Sequence, residues 1–273
     1  MIQQLQMPDG SVVRLGNRVP TTRKAKRFPT FGDSGDTKLI GRAEWPDLLA
    51  AYKSLSFDAP NLPPDKNQNG VGQCNPTAAA LAMEHRRAVQ GLPYVSLSPA
   101  DLYARINGGH DDGSLLEDAL AELQTNGIGT SASCGDLWKD GFYRGGASGQ
   151  ERSRFRADEV FHCPTFDHHF SAALQGFSLV SGIPWYGNFT PDKDGWLPAG
   201  QGKYGGHAIF GYKPTWRNGE FAIWHAQTWG ESWSPHTGGK FAIPESHYNA
   251  GGIGGWYAVR QVTDEGGIVP MPK

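Results

Sequence analysis

The sequence predicts an α+β protein, with a helical lobe, an antiparallel β-sheet or barrel lobe, and a cleft between them. Residues from 61 to about 160 are punctuated as helices, whereas those after Gly176 turn β-branched and aromatic between Gly, Pro and Asn. A chain of 273 residues is long enough for one large domain or two small lobes. Nine Trp, nine Tyr and thirteen Phe supply large units of buried surface and rule out disorder across the whole chain.

Residues 1–60 read as an N-terminal extension, regulatory or occluding, that is Gly/Pro/Thr-rich apart from a short helix from Trp45 to Leu55. The basic run Arg23-Lys24-Ala25-Lys26-Arg27 reads as a solvated tail, with a processing or docking site as the alternative. The main domain spans 61–273, mainly helical over 61–160 and mainly β over 161–273. Its first helix is expected over Thr77 to Gln90, with Pro76 in the first turn and Gly91 beyond the end. Being Ala-rich on several faces, it should pack among neighbours, with Glu84-His85-Arg86-Arg87 as its solvated face. A second helix starts at Pro99 with Ser98 as N-cap. A third, Leu115 to Asn126, opens on the capping box Ser114 to Glu117 and buries Leu116, Ala119, Leu120 and Leu123. A shorter helix over His168 to Gln175 has Asp167 as its cap. Strands follow over Ser178 to Tyr186, His207 to Tyr212, Glu220 to Ala226, Lys240 to Ile243 and Trp256 to Val262, with Asn218-Gly219 marking a hairpin turn.

A formal charge of −2 gives no sign of a nucleic-acid surface, and no apolar run reaches the length of a membrane span. The N-terminus lacks the layout of a signal peptide, so the expected compartment is the cytoplasm. Three cysteines, Cys74, Cys134 and Cys163, are too few for a disulfide scaffold and are expected to be reduced. No cofactor is called for. His162, Cys163, His168 and His169 match no metal spacing, and the glycines at 251, 252, 254 and 255 read as close backbone passage rather than a phosphate loop.

Cys74 stands at the start of the Ala-rich helix, where unpaired N–H groups and the helix dipole favour an anion. A buried apolar thiol is the plainer reading of that position alone. The stretch Gln68-Asn69-Gly70-Val71-Gly72-Gln73-Cys74 resembles the active-site segment of papain-like cysteine peptidases, bacterial or phage-type. Gly205-Gly206-His207-Ala208-Ile209-Phe210-Gly211-Tyr212 is similar to that family's histidine strand, 133 residues on (207 − 74) and within the roughly 130–150 expected of papain-type enzymes. Gln227-Thr228-Trp229-Gly230, with Trp233 four residues after Trp229, resembles the family's Asn-Ser-Trp-Gly, with Gln227 in place of the Asn. The likeness covers about residues 62–262.

The resemblance implies a papain-like fold and a thiol peptidase acting on peptides or proteins, without metal. Cys74 would be the nucleophile, with its pKa lowered well below 8.5, and His207 its base. Gln227 would orient the imidazole under Trp229, and Gln68 with the Cys74 N–H would hold the oxyanion. Asp112 and Gly113, in the loop that pairs with substrate backbone, together with Gly206 and Trp229, would contact substrate. A scaffold without turnover, or an acyl transferase using the same Cys–His pair, are the alternatives. Asn75 after the nucleophile, and Val71 where the family has a disulfide cysteine, depart from the pattern.

Overall fold

The structure is a computed structural model that describes residues 3–7, 10–18, 28–33, 36–52, 56–139, 147–234, 236–249 and 255–264. The basic run Arg23 to Arg27 and residues 251–254 lie outside the described residues. Strands β1 (Gln3–Gln6) and β2 (Val12–Leu15) form an antiparallel pair. A 3-10 turn over Arg42–Glu44 leads into α1 (Trp45–Ala50). The helical part then contains α2 (Cys74–Val89), α3 (Pro99–Ile106), α4 (Leu116–Thr125), α5 (Ser131–Cys134) and α6 (Gly149–Ser153). The remainder runs β3 (Phe155–His162), α7 (Phe166–Leu174), β4 (Ser178–Tyr186), β5 (Tyr204–Arg217), β6 (Glu220–Ala226), β7 (Lys240–Pro244), α8 (Glu245–Asn249) and β8 (Trp256–Asp264). Six of these strands form one antiparallel sheet in the order β3-β8-β4-β5-β6-β7.

Two apolar cores flank the sheet. One holds the alanines of α2 with Leu116, Leu120 and Leu123 of α4 and Val180 and Phe210 of the sheet. The other gathers Phe166 and Phe170 of α7 around Trp45, whose ring lies 4.4 Å from that of Phe170 and 4.9 Å from that of Phe221. Phe31, Ile40 and Leu49 are buried there too, so the early part of the chain shares this core. Asn218 and Gly219 take φ of 53° and 86°, which suits the twist of the β5–β6 hairpin they close. Among the described residues no helix is long and apolar enough to cross a membrane, and no disulfide joins the three cysteines.

The structure corrects several local expectations. Helix α2 begins at Cys74 rather than Thr77, and Pro76 falls in its first turn, where a missing N–H costs nothing. The Glu84-to-Arg87 stretch is not a solvated face: Glu84, His85 and Arg87 are buried. Partners remote in sequence make this possible. Glu84 pairs with Lys66 at 3.1 Å and accepts the Leu97 N–H, His85 meets Ser178 at 2.7 Å, and Arg87 donates to Pro93 and lies over Phe155. The Ser114–Glu117 capping box is not formed, because Ser114 bonds Asn75 and Glu117 accepts from Tyr257. Asp167 pairs with Arg42 instead of capping α7, which starts at Phe166. Strand β3 went unread in the sequence because Arg156, Asp158 and Glu159 break its apolar pattern, as an edge strand permits.

His85 provides a test of the packing around α2. Burial, with the charge of Arg86 second, lowers its pKa from 6.5 to about 3. The unfolded chain therefore takes up a proton below about pH 6.5 that the folded chain refuses until about pH 3. Its contribution to stability is complete above pH 6.5 and is lost as the pH falls toward 3. In urea titrations, His85→Gln should make stability fall less steeply between pH 6 and 4, by about 1.4 kcal/mol per pH unit. Equal slopes for the two proteins would place His85 in contact with water.

Candidate active site

Cys74 is the first residue of α2 and its thiol is wholly buried. Four backbone N–H groups favour the thiolate there, from Ala208 on β5, from Gly16, from Asn75 and from Cys74 itself. On β5, one residue before Ala208, the His207 imidazole presents Nε2 to Gln227 Oε1 at 2.6 Å. An amide oxygen can only accept, so the neutral ring carries its proton on Nε2 and leaves Nδ1 as the base. That Nδ1 is buried without a hydrogen-bond partner. Trp229 stacks on the ring at 4.4 Å and 22°, and Trp185 meets it edge-on at 5.2 Å, so the His207–Gln227 bond is walled from water. The Gln227 side chain turns back far enough for its Oε1 also to accept the Thr228 N–H at 2.8 Å, which accommodates its length relative to Asn.

Gln68 comes to this group across the junction of the two lobes. Asn67 bridges Trp229, and the Gln68 N–H donates to the Thr228 carbonyl at 2.9 Å. The Thr228 hydroxyl donates to Gln68 Oε1 at 2.7 Å, which turns the Gln68 amide nitrogen toward the Val71 and Arg14 carbonyls at 2.6 and 3.2 Å. Thr228 therefore ties the amide beside His207 to the amide of Gln68. It was not singled out from the sequence, although it holds the place of the Ser in the motif that Gln227 opens.

The segment after β2 runs through the same cleft. Ser114 donates its N–H to the Gly16 carbonyl at 2.8 Å and accepts from Arg18 at 2.9 Å, while Asn17 donates to the Gly206 carbonyl at 3.1 Å. Gly16 passes so near the Gly72 carbonyl that a side chain there would collide with it, and a side chain on Gly113 would strike the Gly16 carbonyl. Of the expected substrate contacts, Gly206 and Gly113 therefore line this passage. The backbone pairing itself falls to Ser114, one residue beyond the predicted pair. Asp112 is exposed and takes the Arg18 side chain on its carbonyl at 2.6 Å.

Burial pushes the Cys74 thiol up to about 11 against the pull of the surrounding N–H groups, and lowers His207 to about 4 against that of Gln227. Both groups are uncharged at neutral pH in this arrangement. The lowered thiol pKa expected from the helix terminus is thus corrected: with the sulfur fully buried, the loss of water outweighs the dipole and the surrounding N–H groups. Among the described residues no three His, Cys, Asp or Glu side chains gather to hold a metal ion. His168 bonds Thr165, and His169 is buried beside Trp256.

A helical part and an antiparallel sheet meeting at a helix-start cysteine and a strand histidine define the papain-like cysteine protease fold. Xylellain, a cysteine protease from Xylella fastidiosa, is similar over 96% of this chain and 98% of its own, with 13% identity and a TM-score of 0.66. ProCathepsin B S9 from Trypanosoma congolense is similar over 92% and 86%, with 15% identity and a TM-score of 0.65. Digestive procathepsin L2 from the Tenebrio molitor larval midgut gives 91% and 77%, with 19% identity and 0.61. No protein-family model and no curated protein matches the chain in sequence.

The buried, neutral thiol can be titrated directly. The thiolate absorbance near 240 nm, taken as the difference between the unmutated chain and Cys74→Ala, should stay flat through pH 9 and rise only toward about 11. A rise centred below pH 7 would show an ion pair already in place.

Proposed function

We propose that the chain is a cysteine-dependent endopeptidase of the papain type, held closed by its own residues 14–18. The observation that carries this reading is the His207 ring, fixed by Gln227 at one nitrogen and left unbonded at the other, beside the helix that begins with Cys74. No metal or cofactor enters it. Residues 1–60 are assigned to the regulatory segment and 61–273 to the catalytic domain.

In the open state water re-enters and the cost of charging the pair falls. Cys74 passes its proton to His207 Nδ1, and the thiolate attacks the carbonyl carbon of a bound peptide. The developing oxyanion takes hydrogen bonds from Gln68 Nε2 and the Cys74 N–H. His207 delivers the proton to the leaving amine and then draws one from the water that releases the acyl group. Asp112, Gly113 and Gly206 border the peptide, and Trp229 keeps the His207–Gln227 bond dry.

In the closed state the segment occupies these places without offering a bond to cut. The Gly16 N–H is one of the groups that favour the thiolate, and the Gly16 carbonyl is turned to Ser114, which donates to it at 2.8 Å. The Arg14 carbonyl takes the Gln68 amide that would hold the oxyanion. Two of the similar solved structures cited above are of proenzymes, in keeping with a blocked form.

Gly16→Val is the decisive variant, because its side chain would run into the Gly72 carbonyl and unseat the segment. Hydrolysis of a fluorogenic peptide should rise at least about tenfold and disappear in Gly16→Val/Cys74→Ala. Within the Gly16→Val background, Gln68→Ala should lower kcat by about a hundredfold, the usual loss for one oxyanion donor. If Gly16→Val folds normally and shows neither hydrolysis nor labelling of Cys74 by an epoxysuccinyl peptide, the chain is not a peptidase.

A further inference from the structure

Asp111 stands in the wall of the cleft with its carboxylate fixed by several partners. Its Oδ1 accepts the Gly72 N–H at 2.8 Å and the Tyr103 hydroxyl at 2.9 Å. Its Oδ2 meets the Arg14 guanidinium at 2.5 Å, and the same guanidinium nitrogen donates to the Gly70 carbonyl at 3.1 Å. The Asp111 side chain is only 17% exposed and that of Arg14 only 35%, so water screens the pair weakly compared with an open surface. Arg14 lies two residues (16 − 14) before Gly16, which crosses the Gly72 carbonyl two residues (74 − 72) before Cys74 and whose N–H favours the thiolate. Arg18, on the far side of Gly16, donates to the Asp112 carbonyl and has a nitrogen 4.0 Å from the Asp112 carboxylate. The segment in the cleft is thus held by two arginines against two consecutive acidic residues.

From the seat of Arg14 we infer a substrate class: the peptidase selects peptides carrying arginine or lysine within two residues of the bond it cuts, and Asp111 is the carboxylate that reads them. This rests on the peptidase reading above and adds its specificity. When the segment leaves, Asp111 loses its cation but keeps the Gly72 and Tyr103 donors that aim it. The Gly70 carbonyl remains beside it as a second acceptor. A guanidinium fits such a pair better than an ammonium does, because its planar N–H groups reach two acceptors at once, so arginine is favoured over lysine. A neutral side chain in the same place would leave a half-buried carboxylate without its counter-ion. Asp112, being exposed, adds a weaker attraction for a second basic residue.

The test uses the full unmutated chain and three epoxysuccinyl peptides that differ at one residue two positions from the reactive group, bearing arginine, citrulline or leucine. Citrulline keeps the shape of arginine and lacks its charge. All three must displace the same segment, so the ratio of their Cys74 labelling rates is independent of how firmly the cleft is closed. The arginine probe should label Cys74 at least about tenfold faster than the citrulline probe. In Asp111→Asn, whose side-chain oxygen can still accept from Gly72 and Tyr103, that ratio should fall to within about twofold. Should that variant not fold, the unmutated chain still decides: the ratio should shrink as salt is raised from low to molar concentration. Equal rates for arginine and citrulline, or a ratio that survives both Asp111→Asn and high salt, overturn the inference and leave the peptidase reading intact. Absence of Cys74 labelling by all three probes, in the unmutated chain and in a folded Gly16→Val variant alike, overturns both.

Discussion

The close approach of α2 to β5 is the constraint on which the site depends. Ala78, Ala79, Ala80 and Ala82 are fully buried, and their small side chains let the helix lie against the sheet with its first residue beside β5. That brings the Cys74 thiol under the influence of the Ala208 N–H, one residue after His207 on β5. A thicker helix face would push the thiol away from the ring, and chemistry between the two groups is sensitive to displacements of about 1 Å. The same closeness dries the site. A thiolate and an imidazolium are costly there until water or a substrate replaces the segment that covers them. Geometry and reactivity are therefore set by one packing decision and pull in opposite directions.

The covering segment exploits that opposition. It adds backbone to both walls of the cleft through Ser114 and Gly206, and it fits only because Gly16 and Gly113 lack side chains where the chains cross. The arginines on either side of Gly16 fasten it, and strand β2 leads straight into it. The early chain is anchored independently as well, since Trp45 is part of the core around α7. A segment tethered at both ends competes with substrate at a high effective concentration, so modest contacts suffice to keep the cleft filled.

The fold and the centre of the site were legible because their signals are local. Cys74, His207, Gln227 and Gln68 each sit in a short motif whose order and spacing are visible in the chain, and helix ends at Gly91, Gly127 and Gly176 follow from conformations that glycine supplies. What could not be read depends on partners far apart in sequence. Glu84 looks solvated on a charged helical stretch until Lys66 and the Leu97 N–H arrive from elsewhere. Ser114 looks like a cap until Asn75 claims it. The elevated thiol pKa is the clearest case. The helix terminus alone predicts a low value, and only the complete burial of the sulfur in the folded chain, which outweighs the pull of the Ala208 and Gly16 N–H groups, reverses it. Nothing local to Asp111 sets it apart from Asp112, since its partner Arg14 stands 97 residues earlier (111 − 14).

Amide hydrogen exchange in the full chain, read before and after Cys74 is blocked by an epoxysuccinyl peptide, tests the closed cleft most directly. Protection of the Asn17 and Arg18 amides before labelling, lost once the inhibitor fills the cleft, is the predicted result. Rapid exchange at those amides from the outset would show that the segment does not occupy the cleft, and would contradict the account of a self-blocked peptidase.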